Sequence, residues 1–137
     1  MNSIAQQREH ITVYNMDALE FLRMLPVNTF VYLDPPYYVK GKSLYMNHYK
    51  EDDHQQLADY LLHEAAFSWL LSYDDTPQIR KKYQALELYR FSLNYTVYEK
   101  RTGYELLTHN PNIHFPKEPQ IKRNTRGKNI PIERILL

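Results

Sequence analysis

The stretch VYLDPPYYVK, residues 31–40, decides the fold prediction, because an apolar run stops there at an acid, two prolines and two tyrosines. Residues 29–33 are predicted to form a strand that is apolar on both faces, as is typical of a parallel strand covered by helices. The prolines restrict the residues before them, so Asp34 is expected in extended geometry. Its carboxylate, the backbone carbonyls and the flat ring of Tyr37 suit a planar ligand that carries an NH₂ group. The plain alternative is that the prolines only terminate a strand.

The composition fits one globular domain. The chain has 137 residues, of which 43% are hydrophobic and 24% are charged, so a single core can form. A net charge of +1 gives no overall basic field that would indicate a polyanion partner. The lack of cysteine excludes disulfides and thiolate metal sites and agrees with a cytoplasmic location. The apolar runs are too short for a bilayer, and the N-terminus lacks the apolar core of a signal peptide.

Strands and helices alternate along most of the chain. Predicted strands cover residues 11–14, 29–33 and 67–73, and a helix is predicted after each of them. This alternation implies a parallel sheet with right-handed crossovers. Ligands bind beyond the carboxyl ends of the strands in such sheets, so the acids that follow the strands are expected to face one crevice. These acids are Asp17, Asp34 and Asp74.

Each predicted helix has one apolar face. The first helix presents Leu19, Leu22 and Leu25 on that face and ends before Pro26. Asp52 or Asp53 is expected to cap the second helix, and the five acids of residues 51–64 are interpreted as its solvated face rather than as a metal site. The apolar face of the second helix comprises Leu57, Ala58, Leu61, Leu62 and Ala65. Thr76 and Pro77 open the third helix, which carries Ile79, Tyr83 and Leu86 on its face.

No metal site is predicted. The six histidines make no persuasive ligand pair and are interpreted as surface residues. They are His10, His48, His54, His63, His109 and His114.

The pattern changes to a period of two after the third helix. Residues 89–97 and 104–109 are predicted to form an antiparallel hairpin at the edge of the sheet. Residues 1–115 are therefore assigned to one α/β domain. Residues 116–137 hold three prolines and scattered bases and are predicted to be a loosely packed basic extension. Arg123, Arg126 and Lys128 in this extension could contact phosphate, although a solvated tail is the preferred interpretation.

Four segments together resemble Dam-type adenine-specific DNA methyltransferases. VYLDPPYYVKGKSLYMNHY (31–49) is similar to the catalytic DPPY motif and the loop after it, and MDALEFL (16–22) is similar to the segment near the cofactor's adenosine. LLSYDDTPQIRKKY (70–83) and FSLNYTVYEKRTGYELLTHN (91–110) resemble the later strands and the edge hairpin. The resemblance implies a partial Rossmann-like methyltransferase sheet with parallel strands and an antiparallel edge hairpin. It covers roughly residues 11–112.

The resemblance also implies an activity, namely site-specific transfer of a methyl group from S-adenosylmethionine to the exocyclic amino group of adenine in DNA. Asp34, Pro35, Pro36 and Tyr37 would form the catalytic motif, and Asp34 would also lie close to the methionine end of the cofactor. Asp17 would lie near the cofactor's adenosine, or alternatively cap a helix. A flipped base could pass along Tyr45, Asn47, His48, Tyr49 and Lys50, or these residues form a surface loop.

The family's cofactor turn, Phe-x-Gly-x-Gly, has no counterpart in the sequence. The three glycines, Gly41, Gly103 and Gly127, form no Gly-x-Gly pair. The sequence is therefore interpreted as the C-terminal half of the enzyme, and the isolated chain is expected to be inactive. Its predicted partners are DNA and either a second polypeptide that supplies the missing half or a second copy paired at the exposed sheet edge. The alternative is a non-catalytic remnant or binding module that keeps the fold but cannot bind the cofactor alone.

Overall fold

A computed structural model describes residues 7–39, 49–95, 101–121 and 130–136. After a short 3₁₀ helix, Arg8–His10, the described residues form three α-helices: α1 (Ala18–Arg23), α2 (Glu51–His63) and α3 (Pro77–Lys82). The strands are β1 (Phe30–Leu33), β2 (Ser68–Asp74), β3 (Leu88–Tyr95), β4 (Arg101–His109), β5 (Gln120–Ile121), β6 (Ile130–Pro131) and β7 (Glu133–Ile135). None of the described helices is long and apolar enough to cross a bilayer.

The main sheet has the strand order β1-β2-β4-β3-β7. β1 and β2 are parallel, with Phe30 opposite Ser68 and Leu33 opposite Leu71. β4 lies between β2 and β3 and runs antiparallel to both. The mixed α/β fold with an antiparallel hairpin, predicted from the sequence, is therefore confirmed, and β1 and β2 bring their carboxyl ends to the same edge.

The helices cover one face of this sheet. Leu22 of α1, Leu57 of α2 and Ile79 of α3 belong to the same buried cluster as Trp69 and Leu71 of β2. The three helix faces predicted from the apolar spacing are thus the faces that pack. The opposite face carries a smaller cluster over β3 and β4, in which Tyr89, Phe91, Leu107 and Ile130 are buried.

The predicted strand at residues 11–14 is wrong. This segment is irregular, and Ile11 and Val13 are 51% and 87% exposed. Tyr14 packs on Phe21 of α1, with the ring centroids 4.9 Å apart. An apolar alternating stretch becomes a strand only when a neighbouring strand accepts its hydrogen bonds, and the described part of the sheet gives it no such neighbour.

β1 is covered on one face only, which corrects the expectation that helices cover both. Val31 and Leu33 pack against the main core, whereas Phe30 and Tyr32 on the other face are 60% and 58% exposed. The physical reason lies in the C-terminal segment. Its apolar side chains cover β3 and β4, and among the described residues they do not extend as far as β1.

The expectation of a loosely packed extension is wrong for its last part. β7 pairs antiparallel with β3, with Leu88 opposite Ile135. Arg134 forms an ion pair with Glu87 at 2.6 Å, and Ile130 is 8% exposed. Pairing with β3 supplies hydrogen-bond partners that apolar periodicity could not reveal. The basic residues Arg123, Arg126 and Lys128 lie outside the described residues, and the boundary at residue 115 stays a prediction.

Two local predictions also need correction. The N-cap of α2 is Lys50 instead of Asp52 or Asp53, and the Asp53 side chain accepts a hydrogen bond from the Lys50 amide at 2.7 Å. Two histidines are not surface residues, because His54 and His109 are 2% and 7% exposed. His54 Nδ1 lies 2.7 Å from the Tyr73 hydroxyl, and His109 Nδ1 lies 2.8 Å from the Asn110 carbonyl oxygen.

Candidate active site

Asp34 lies immediately after β1 and is exposed. The buried Ser72 hydroxyl on β2 donates a hydrogen bond to Asp34 Oδ1 at 3.1 Å, and it also contacts the Tyr32 hydroxyl at 2.8 Å. Residues 32 and 34 lie on the same face of β1, since side chains alternate along a strand. Parallel pairing with β2 therefore brings Ser72 under the carboxylate. Asp34 is oriented by the sheet while remaining accessible from solvent.

Tyr37 is anchored to a different strand. Its hydroxyl donates to Oε1 of Glu105 on β4 at 2.6 Å, and Glu105 is 9% exposed. The same two residues border a pocket of about 280 Å³ at the carboxyl ends of β1 and β2. Its lining residues are Tyr37, Val39, Asp74, Asp75, Thr76, Gly103, Tyr104 and Glu105. Asp34 is not among them, so the motif contributes the ring of Tyr37 to this pocket and leaves Asp34 beside Ser72.

The two residues after Tyr37 are held by the end of β2. Asp74 Oδ1 accepts from the Tyr38 amide at 2.8 Å, and Oδ2 accepts from the Val39 amide at 3.1 Å. β1 and β2 are neighbouring parallel strands, as the alternation predicted, with Asp34 directly after β1 and Asp74 as the last residue of β2. The adjacent Asp75 has a different partner, since Arg80 forms two hydrogen bonds of 2.6 Å to its carboxylate.

A buried aromatic cluster supports the motif from the helix side. His54 Nδ1 lies 2.7 Å from the Tyr73 hydroxyl, and the Tyr38 and Tyr49 rings lie 5.1 and 5.4 Å from the His54 ring. Burial lowers the pKa of His54, partly opposed by the nearby carboxylate of Glu51, and burial raises the pKa of Tyr73. Both groups are therefore neutral near pH 7 and act as packing groups.

The hydroxyl of Tyr38 connects this cluster to the surface. It is hydrogen-bonded to the Glu51 carboxylate, which raises the pKa of Tyr38. Lys82 lies 2.6 Å from Glu51, and this contact is the largest cause that lowers the pKa of Glu51. The chain after the motif is thereby tied to α2 and α3 as well as to β2.

Asp17 caps a helix, as one of the two interpretations expected. Its Oδ1 accepts from the amides of Leu19 and Glu20 at 3.0 and 3.1 Å. Burial and the charge of Asp17 raise the pKa of Tyr49. Tyr49 belongs to the aromatic cluster, whereas Tyr45, Asn47 and His48 lie outside the described residues.

Sequence reasoning missed Ser72 and Glu105. Ser72 sits two residues before Asp74 in the mainly apolar strand β2, and Glu105 directly precedes two leucines in β4. A polar residue on the covered face of a strand is a signal that could have been used, because buried polar groups require partners. Among the described residues, no group of three His, Cys, Asp or Glu side chains is arranged to hold a metal ion.

Comparison with known families agrees with this geometry. Residues 1–101 match the family model of the D12 class N6 adenine-specific DNA methyltransferases, and this range contains β1, the DPPY corner and β2. No curated protein gives a significant match to the sequence. The match covers well over half of the chain, so the chain belongs to the D12 class of N6 adenine-specific DNA methyltransferases.

Proposed function

We propose that Asp34, Pro35, Pro36 and Tyr37 are the catalytic motif for transfer of a methyl group to the exocyclic amino group of adenine in DNA. The observation that carries the proposal is an exposed carboxylate at the carboxyl end of β1, oriented by Ser72 and followed by an anchored tyrosine ring. Family membership supports adenine methylation of DNA in general. The residue roles rest on the chemistry below.

The exocyclic amine of adenine is a poor nucleophile, because its lone pair is delocalised into the ring. The Asp34 carboxylate and a carbonyl of the motif can accept its two hydrogens, which favours a pyramidal nitrogen and frees the lone pair. Pro35 and Pro36 supply no competing N–H groups at this corner. These hydrogen bonds strengthen as the nitrogen pyramidalises, so they stabilise the transition state more than the bound base.

Tyr37 positions the base. A base in duplex DNA must be flipped out to reach this corner, and an aromatic ring offers it a stacking surface worth about 1–3 kcal/mol. The pocket beside Tyr37, at about 280 Å³, is close to the lower end of the range for small-ligand sites. DNA is therefore the proposed partner.

The cofactor fits the described residues only in part. Family membership implies chemistry that depends on S-adenosylmethionine, which supplies the methyl group when bound. The exposed carboxylates of Asp34 and Asp17 suit its cationic and hydroxyl groups, but Oδ1 of Asp17 is already engaged by α1. The sequence contains no Gly-x-Gly turn over which the backbone could approach the cofactor. We therefore assign no step to the cofactor on this chain and propose that a second polypeptide that supplies such a turn completes the site.

The exposed face of β1 supports the proposal that another chain completes the cofactor site. Phe30 and Tyr32 expose their rings on β1, which is the end strand of the described sheet. The free backbone edge of an end strand pairs readily with another chain. The second candidate function, a binding module that keeps the fold without catalysis, is favoured by the same incomplete cofactor site. The two candidates differ in whether adenine is methylated once the partner is present.

The test is a methylation assay. The chain would be expressed alone and together with the product of the neighbouring upstream reading frame, in cells whose DNA lacks N6-methyladenine, and the DNA nucleosides would be analysed by mass spectrometry. We expect N6-methyladenine on co-expression and its loss with Asp34→Ala, at a cost of about 3 kcal/mol or more, roughly a hundredfold in rate. Modification that survives Asp34→Ala within a few-fold would show that the acceptor role is wrong. No modification in either case would favour the binding module.

A further inference from the structure

Two carboxylates face each other across the strands that support the motif. Asp74 of β2 and Glu105 of β4 are direct partners in the antiparallel register. Like charges in this arrangement destabilise a sheet. Each of the two carboxylates instead accepts hydrogen bonds from the chain that leaves the DPPY corner: Glu105 from the Tyr37 hydroxyl, and Asp74 from two backbone amides. The hydrogen bonds from residues 37–39 therefore offset the repulsion between Asp74 and Glu105.

Asp74 makes the more specific of the two contacts. Its two oxygens bind consecutive amides, those of Tyr38 and Val39, at 2.8 and 3.1 Å. A carboxylate can do this only when both N–H groups point to the same side, which defines the backbone conformation directly after Tyr37. The prolines before Tyr37 have no N–H, so these are among the first amides after the corner that a side chain can hold.

We propose that Asp74 is a positioning residue of the methyltransferase motif. It orients the backbone of residues 38 and 39, and through it the ring of Tyr37, without contacting the reacting atoms. The inference rests on the proposed role of the motif in adenine methylation. It extends that proposal by assigning a role to an acid that lies outside the DPPY stretch.

The neighbouring acid offers a control at the adjacent position. Asp75 has the same side chain and lies one residue further along the chain, but its carboxylate is bound by Arg80 and not by the motif segment. Asp75→Asn removes a carboxylate beside the same pocket and leaves the bonds to the Tyr38 and Val39 amides intact. A general electrostatic or stability effect would appear in both variants, whereas positioning of the segment would be lost only in Asp74→Ala.

The first measurement is amide hydrogen exchange by NMR on the full chain. Asp74→Ala is expected to lower the protection of the Tyr38 and Val39 amides at least about tenfold relative to amides in β2, while Asp75→Asn leaves it within about twofold. Unchanged protection in Asp74→Ala, or an equal loss in both variants, would overturn the proposal.

The second measurement separates this proposal from the proposed function. In the methylation system that supports activity, Asp74→Ala should lower kcat about tenfold or more with KM for DNA within about threefold, because alignment is lost while binding is kept. An unchanged kcat with released amides would overturn the positioning role. If the wild-type protein methylates no adenine under any condition, the proposed function fails, and the exchange data still decide whether Asp74 holds the segment.

Discussion

Replacement of Tyr37 by phenylalanine tests whether the tyrosine acts through its ring alone or also through its hydroxyl. Stacking on a base needs only the ring, so a mild effect on methylation is expected. The structure adds an effect on stability, because the hydroxyl donates to Oε1 of the largely buried Glu105 at 2.6 Å. A hydrogen bond to a charged group contributes about 1.5–3 kcal/mol, and its loss also weakens the solvation of a buried carboxylate. We expect Tyr37→Phe to lower the free energy of unfolding by about 2 kcal/mol at pH 7.

The assay is urea unfolding followed by circular dichroism, with Tyr104→Phe as the control. Tyr104 borders the same pocket, is 52% exposed and keeps its ring contact with Arg90, so its variant should stay within about 0.5 kcal/mol of wild type. Glu105→Gln and the double variant complete a cycle, in which the coupling energy should exceed about 1 kcal/mol. Equal stability of the two tyrosine variants, or a coupling energy near zero, would refute the role assigned to the hydroxyl. In a methylating system, Tyr37→Ala should be more severe than Tyr37→Phe, because it also removes the stacking surface.

The remaining predictions concern the cofactor, the sheet edge and pH. Calorimetric titration of the isolated chain with S-adenosylmethionine should show weak or no binding, since the sequence has no Gly-x-Gly turn, and a micromolar Kd would contradict this. Sedimentation at high concentration should show self-association that Phe30→Lys weakens, because the exposed ring lies on the end strand; a monomeric wild-type chain would count against the open edge. Burial lowers the pKa of folded His54, so the unfolded state takes up the proton first as pH falls below about 6.5. The free energy of unfolding should therefore decrease from about pH 7 to pH 5, less steeply in His54→Gln than in wild type. Identical pH slopes in His54→Gln and wild type would rule out this contribution of His54.

Local periodicity was sufficient for the helices and for the strands that carry the motif. The spacing of Leu57, Ala58 and Leu61 predicted the buried face of α2, and the apolar runs predicted β1 and β2. These features depend on which side chains leave water, which the order of residues along a helix or strand largely specifies. The DPPY corner at the end of β1 followed in the same way, since two consecutive prolines lack the N–H groups that continued pairing would need.

Pairing between distant segments was decided only in the tertiary structure. Residues 11–14 have the composition of a strand but have no neighbouring strand in the described part of the sheet, whereas residues 133–135 pair with β3 and extend the sheet. A strand is stable only where a second strand satisfies its N–H and C=O groups, and a local pattern carries no information about that partner.

The same distinction holds for the site. Asp34 and Tyr37 were predicted from a short stretch of sequence, whereas Ser72 and Glu105, which hold them, come from strands 38 and 68 residues further along the chain. The two-residue period places Ser72, Asp74 and Glu105 on one face only after β2 has paired with β4 in the observed register. The sequence by itself therefore determined which groups are proposed to contact adenine, and the register of the sheet decided which groups orient them.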